Sequence, residues 1–287
     1  MHYKRIIKNI RCALKEYIQK HRLRCLVIGV SGGIDSAVCC ALARPVCDEL
    51  DIPLIGRSIT IESNEEDEIN RARAVGKAFC RTFEEVDFTE LYISTVETFG
   101  GTVSLDKIAR GNIKARMRMQ LLYAIAGMHK GIVLSTDNLT EYFLGFWTIA
   151  GDIGDYGMIQ QLWKMEVYHL ADYSAFELKD DQFAHRALTS CKLAVPTDGL
   201  GISKSDLDQI GADSYDETDR ILKTWLTKDI DAFHWDIWLE YPDRLKDYNE
   251  FVMYRDSLKD HLVVQRHERT HFKRNWPVNI GRRKLFK

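Results

Sequence analysis

The chain has 287 residues, 45% of them hydrophobic and 29% charged, with a formal net charge of −2. That length can bury a full core, and the near-neutral balance excludes the general attraction to nucleic acid that a strongly basic protein has. No apolar run approaches the roughly 20 residues that span a bilayer, and the charged N-terminus lacks the apolar core of a secretory signal, so a cytoplasmic protein without nucleic-acid or membrane partners is expected.

In chain order, the spacing of Ile6, Ile7, Ile10, Leu14, Tyr17 and Ile18 predicts an amphipathic helix over 3–20. A short β-branched run predicts a strand over 24–30, followed by a helix over 36–50, a strand over 52–61 and a helix over 65–80. Next come a strand over 83–88, helices over 89–99 and 108–129, and a buried strand over 131–135. Short apolar strands alternating with helices imply a parallel sheet covered on both faces. Beyond residue 136 strands become scarce. The pattern over 137–170 reads as helix, a Gly-Asp loop at 151–157, then helix again, with further helices over 203–210, 215–228 and 243–262. Residues 265–287 form a basic tail carrying Arg266, Arg269, Lys273, Arg274, Arg282, Arg283, Lys284 and Lys287. No linker divides the chain, so one domain over 1–287 with a helical C-terminal extension is expected.

The seven cysteines, Cys12, Cys25, Cys39, Cys40, Cys47, Cys80 and Cys191, lack paired C-x-x-C spacing and mostly sit in apolar segments. They read as reduced, small core residues.

The chemistry starts where "VIGV" breaks into "SGGIDS", residues 31–36. At the carboxyl end of a parallel strand, a following helix offers unpaired N–H groups and a partial positive charge. Gly32 and Gly33 let backbone approach an anion, and Ser31 and Ser36 add hydroxyls. A carboxylate at Asp35 repels phosphate unless a divalent cation lies between them. No Lys follows the glycines, so this is not the G-x-x-x-x-G-K-[ST] loop. Thr136 and Asp137 end a second buried strand on the same rim, Asp137 reading as a loop-fixing residue. Glu141, one helical turn on, can face Asp35. Lys114, Arg116 and Arg118, taken alone, read as a solvated helix face.

Ser31-Gly32-Gly33-Ile34-Asp35-Ser36 resembles the pyrophosphate loop of N-type ATP pyrophosphatases, which split ATP between the α and β phosphates. The stretch "GNIKARMRM", then "TDNLTE", then "GFWTIAGDIG", between residues 111 and 154, is similar to the central signature of ammonia-dependent NAD synthetases. Lys164, Pro196-Thr197, "SYDETDRIL" (214–222) and Lys273-Arg274 with Pro277 fall at matching intervals. The resemblance implies a Rossmann-like α/β fold of the adenine nucleotide alpha hydrolase type. It implies ATP binding by Gly29, Ser31, Gly32, Gly33, Asp35, Ser36, Thr136, Lys164 and Thr197. Asp35 and Lys164 would be catalytic, and Asp35 and Glu141 would ligate Mg²⁺. Arg116, Asp155, Phe272 and Lys273 would contact the acid substrate. The implied enzyme is a carbon–nitrogen ligase and a homodimer. It would adenylate the nicotinate carboxylate of deamido-NAD with ATP and amidate it with free or partner-supplied ammonia, giving NAD, AMP and pyrophosphate. One departure touches the acceptor: Ile149 stands where the family pattern has a lysine expected to reach the dinucleotide. An ATP pyrophosphatase amidating another carboxylate, such as nicotinate mononucleotide, is the alternative expectation.

Overall fold

Five strands lie side by side and all parallel in the computed structural model, which describes residues 3–62, 65–197, 205–227 and 248–274. In chain order they are β1 (Leu26–Gly29), β2 (Leu54–Thr60), β3 (Thr82–Asp87), β4 (Ile132–Ser135) and β5 (Tyr156–Gly157). The order across the sheet is β3-β2-β1-β4-β5, with Leu26 opposite Leu54 on one side and Ile132 on the other. The winding reverses between β1 and β4, and the crevice outside their carboxyl ends is where an open α/β sheet binds ligands. Ser31 follows β1 and Thr136 follows β4.

Alternation along β1 separates the two faces. Leu26 and Ile28 pack with α1 (Tyr3–His21), α2 (Ile34–Glu49) and α3 (Glu66–Phe79), whereas Cys25 and Val27 pack on the opposite face with Leu122 and Ala126. Those last two lie on α5 (Lys107–His129), which follows α4 (Thr89–Gly100). The first face is completed by α7 (Lys164–Glu177) and α8 (Gln182–Leu193). A second apolar cluster forms around Leu144 of α6 (Leu139–Leu144). To it the chain adds Ile210 from α9 (Asp206–Ile210), Ile221 and Leu222 from α10 (Tyr215–Leu226), and Val263 and Val264 from the helix Leu262–Arg269.

Several elements depart from the sequence reading. The helix expected between residue 137 and the Gly-Asp loop shrinks to α6, because Gly145 takes the left-handed conformation (φ 58°) and stops it, and the helix expected after the loop begins at Lys164 as α7. The Gly-Asp loop contains the two-residue strand β5, too short to leave a periodicity. Helix α8 had no expected counterpart. The helix expected over 243–262 is Tyr248–Ser257 plus a 3₁₀ turn, and His261, extended at ψ 138°, interrupts the chain before Leu262–Arg269. Residues 203–204, 228 and 243–247 of the expected helices lie outside the described residues. So do residues 275–287 of the basic tail, which carry Arg282, Arg283, Lys284 and Lys287; within 265–274, residues up to Arg269 and His271–Arg274 are helical, on either side of Thr270.

Cys25, Cys39, Cys40, Cys47 and Cys191 are buried and free, as expected, but Cys12 is exposed and Cys80 half-buried. Burial pushes the Cys47 thiol up to about 12 and Cys191 up to about 11, so neither offers a thiolate. No helix among the described residues is long and apolar enough to cross a membrane.

Candidate active site

The loop after β1 owes its shape to Gly32, whose φ is 83°. A Cβ there would stand 2.4 Å from the Glu68 carbonyl oxygen on α3, so both the conformation and the close helix exclude a side chain. The Ser36 hydroxyl donates to the Gly33 carbonyl at 3.1 Å and accepts from the Ser31 N–H at 3.3 Å. Gly33 caps α2 without any side-chain partner for the first turn, which leaves an anion-accepting end on a 16-residue helix. Gly32→Ala is expected to cost about 2 kcal/mol or more and to weaken ATP binding over tenfold. Thermal melts and ATP titration check this; an unchanged variant on both counts would contradict the close approach of α3.

Asp35, in the first turn of α2, reaches across to β4's exit. Its Oδ1 accepts from the Asn138 Nδ2 at 2.9 Å and its Oδ2 from the Lys164 Nζ at 2.5 Å. The same ammonium donates to Glu141 Oε1 at 3.2 Å, so the two carboxylates converge on one cation. Lys164 is 2% exposed. Burial works against its charge, but Asp35 and Glu141 outweigh burial and raise its pKa well above the ordinary lysine value. Burial likewise pushes the Glu141 carboxyl up, opposed by Lys164.

A six-residue helix is not stable by itself, since isolated helices shorter than about 12–15 residues are marginal in water. Distant groups hold α6 at each end. At its start Asn138 and Glu141 form a reciprocal cap: Glu141 N–H donates to Asn138 Oδ1 at 3.0 Å, and Asn138 N–H donates to Glu141 Oε2 at 3.2 Å. Thr140 donates to Asp219 Oδ1 at 2.5 Å, and Asp219 Oδ2 accepts from Met165 N–H at 2.9 Å, which pins the first turn of α7 and with it Lys164. This is the structural work of the "SYDETDRIL" segment. At the other end the Phe143 carbonyl accepts from Arg274 at 2.7 Å and contacts His267 Nδ1 at 2.8 Å. Arg266 donates to the Leu144 carbonyl at 3.2 Å, and Lys273 to the Gly145 carbonyl at 2.7 Å and to that of Trp147. Cations at a helix C-terminus complement its dipole.

Ser31–Ser36, Glu141, Lys164 and Lys273 line a cleft of about 520 Å³. A second pocket of about 230 Å³ adjoins it above Gly29 and β2, sharing Ser31, Glu68, Thr136, Asp152 and Thr197 with the first. The predicted ATP and metal residues thus come together. The predicted acid-substrate residues do so only in part. Lys273 lines the cleft with its ammonium engaged by two carbonyls. Arg116 is exposed and donates to the Ile149 carbonyl (3.2 Å from Nη2). Asp155 accepts from Val133 N–H at 2.9 Å and from the Tyr123 hydroxyl at 3.2 Å, which ties β5 to the sheet. Phe272 is 58% exposed. None of these three lines the cleft. The solvated helix face expected at Lys114 and Arg118 is corrected: Lys114 is 4% exposed and paired with Glu62 at 3.3 Å, and Arg118 donates to the Ile59 carbonyl at 3.1 Å.

Three participants escaped the sequence reading. Asn138 had a signal, the Asn-x-x-Glu capping pattern. Asp219 had none beyond its motif. Asp152, which lines both pockets, accepts from Thr148 N–H at 2.9 Å, and burial pushes its carboxyl up to about 7. Asp137 is loop-fixing as expected, accepting from Ser135 at 2.5 Å.

A doubly wound parallel sheet whose switch point carries a glycine loop, a helix N-terminus and a carboxylate–lysine–carboxylate cluster defines a nucleotide-binding α/β protein. The sequence pattern of the NAD synthase family matches residues 6–245, and the chain belongs to that family. Among relatives, the NH3-dependent NAD⁺ synthetase of Thermoplasma acidophilum is 32% identical over 256 residues, covering 88% of this chain and 89% of the relative. That of Finegoldia magna is 30% identical over 223 residues, covering 77% and 85%. Among solved structures, the NMN synthetase of Francisella tularensis superposes with TM-score 0.74 at 22% identity, covering 98% of this chain and 99% of that one. The NH3-dependent NAD synthetase of Campylobacter jejuni superposes at 0.66 and 20% identity, covering 98% and 100%.

Proposed function

We propose that the chain is a carbon–nitrogen ligase that adenylates the nicotinate carboxylate of deamido-NAD with ATP and amidates it with ammonia. The products are NAD, AMP and pyrophosphate. The observation that carries the reading is the convergence of Asp35 and Glu141 on Lys164 beside the Ser31–Gly33 turn, in a cleft large enough for nucleotide.

The substrate carboxylate attacks the α-phosphorus, and pyrophosphate leaves. The uncapped N–H groups at the start of α2 and the buried Lys164 ammonium stabilise the charge that gathers on it. Holding acid and ATP in line supplies the rest of the acceleration. Ammonia then attacks the acyl carbon and AMP departs. Asp152, a carboxyl near neutrality at the junction of the two pockets, takes the proton that the attacking nitrogen gives up.

Two carboxylates already gathered around one cation suit Mg²⁺, which commonly takes one or two carboxylates together with substrate phosphates and water. No cluster of three or more His, Cys, Asp or Glu donors exists among the described residues, so the remaining ligands would come from phosphate oxygens and water. When bound by Asp35 and Glu141, the ion supplies neutralisation of phosphate charge.

Nicotinate mononucleotide is the alternative acceptor. Ile149 offers no charge to a dinucleotide, and the Arg116 guanidinium beside it is engaged by the Ile149 carbonyl. Among the described tail cations, Arg266, Lys273 and Arg274 hold carbonyls, while Arg269 lines the cleft and is exposed. Apolar residues exposed on α4 and α5, such as Phe99, Ile108 and Met128, support pairing of two copies as a homodimer. The reaction belongs in the cytoplasm, where ATP and reduced thiols are held.

The test is an assay with ATP, Mg²⁺, ammonium and either acid, following AMP, pyrophosphate and the amide. NAD formation from deamido-NAD is expected. AMP release with the mononucleotide alone moves the assignment to the alternative, and no AMP with either acid overturns the ligase reading.

A further inference from the structure

Arg71 is a cation that the chemistry above does not use. It projects from α3, the helix whose backbone closes over Gly32. Its Nε–H donates to the Gly32 carbonyl at 3.2 Å, and its half-buried side chain forms part of the cleft wall. No other hydrogen bond or ion pair holds the guanidinium among the described residues.

A guanidinium is planar, so anchoring Nε fixes the plane and leaves the two terminal amino groups as a fork. Such a fork matches two oxygens of one phosphate and is stronger than a neutral hydrogen bond. Because the anchor is the phosphate loop's own carbonyl, the charge is held in register with the loop that bends around the anion. Lys164, by contrast, already shares its charge between two carboxylates. The cleft therefore has a second, less neutralised cation at the turn.

We propose that Arg71 binds the leaving pyrophosphate end of ATP, the β- and γ-phosphates, through its Nη1 and Nη2 groups. The inference rests on the reading of the glycine turn as a triphosphate site. It assigns Arg71 to the part of the nucleotide that AMP lacks. That difference separates a phosphate contact from a strut that only braces the loop, because a loose loop disturbs every nucleotide alike.

The experiment is equilibrium binding of AMP, ATP with Mg²⁺, and inorganic pyrophosphate with Mg²⁺ to the full chain, to Arg71→Ala and to Arg71→Lys. Arg71→Ala is expected to weaken ATP and pyrophosphate by about 10- to 100-fold and AMP by less than about threefold. Arg71→Lys, which keeps the charge and loses the fork, is expected between the two. Equal weakening of AMP and ATP overturns the proposal in favour of a strut, and unchanged binding of all three overturns it outright. Failure of the unsubstituted chain to bind pyrophosphate while binding AMP sinks the triphosphate reading itself, a result visible without any variant.

Discussion

Replacing Lys164 with methionine is expected to reduce pyrophosphate release by about a thousandfold and to destabilise the protein by about 3–5 kcal/mol. The side chain is 2% exposed, and its ammonium is the shared partner of Asp35 and Glu141. Methionine fills nearly the same volume, so the loss is electrostatic rather than a cavity. Two carboxylates then face each other without a cation, and the cheapest relief is for one to take a proton. Burial and the Asp35 charge already push Glu141 up, and Lys164 is what opposes them. In the variant the folded-state pKa rises further above its unfolded value. Stability contributed by such a group is present at low pH and lost as pH rises through the folded value. The deficit in thermal unfolding should therefore be smaller near about pH 5 than near about pH 8. Wild-type turnover in this variant would remove the cluster from the chemistry.

Asp152→Asn is expected to move stability and turnover in opposite directions. The carboxyl's folded-state value, about 7, lies above its ordinary value of 3.8, and burial is the main cause. The native state therefore holds the proton more tightly than the unfolded chain. The stability this contributes is complete below about pH 4 and lost as pH climbs through about 7. Asparagine removes the ionisation and can still accept from Thr148 N–H. Above neutrality the variant should be more stable by roughly 2 kcal/mol, a gain that vanishes in acid. Turnover should fall by about 10²–10⁴-fold, because asparagine cannot accept the nitrogen's proton, and its rise with pH through about 7 should disappear. Melting curves and pH–rate profiles read both. A variant neither stabilised nor impaired would mean that Asp152 is an ordinary solvated loop residue.

What the sequence made legible was chemistry written locally. Ser31–Ser36 sits between an apolar strand and a helix, so strand, turn, helix end and the odd carboxylate are adjacent in the text. The parallel sheet was likewise readable from short apolar runs alternating with helices. The partners of the site were not, because they meet only through the fold. Asn138 finds Asp35 across 103 residues, Thr140 finds Asp219 across 79, and Arg266 finds the Leu144 carbonyl across 122. Lys114 and Arg118 misled for the same reason: a charged helix face looks solvated until β2 and Glu62 are laid against it. Asp152 was visible only as part of the Gly-Asp signature, and nothing beside it in the sequence announced that burial would push its carboxyl up.

The clamp of Arg266, His267, Lys273 and Arg274 on the end of α6 has a bearing on how the protein comes to be active. The sheet and its covering helices are complete by Leu193, yet the short helix bearing Glu141 is fastened by groups synthesised more than 120 residues later. A ribosome-bound chain can thus build its nucleotide scaffold well before it owns a working one. The site's geometry is coupled to the docking of a distant segment, since Glu141 is held in place only when residues 266–274 have packed against the end of its helix.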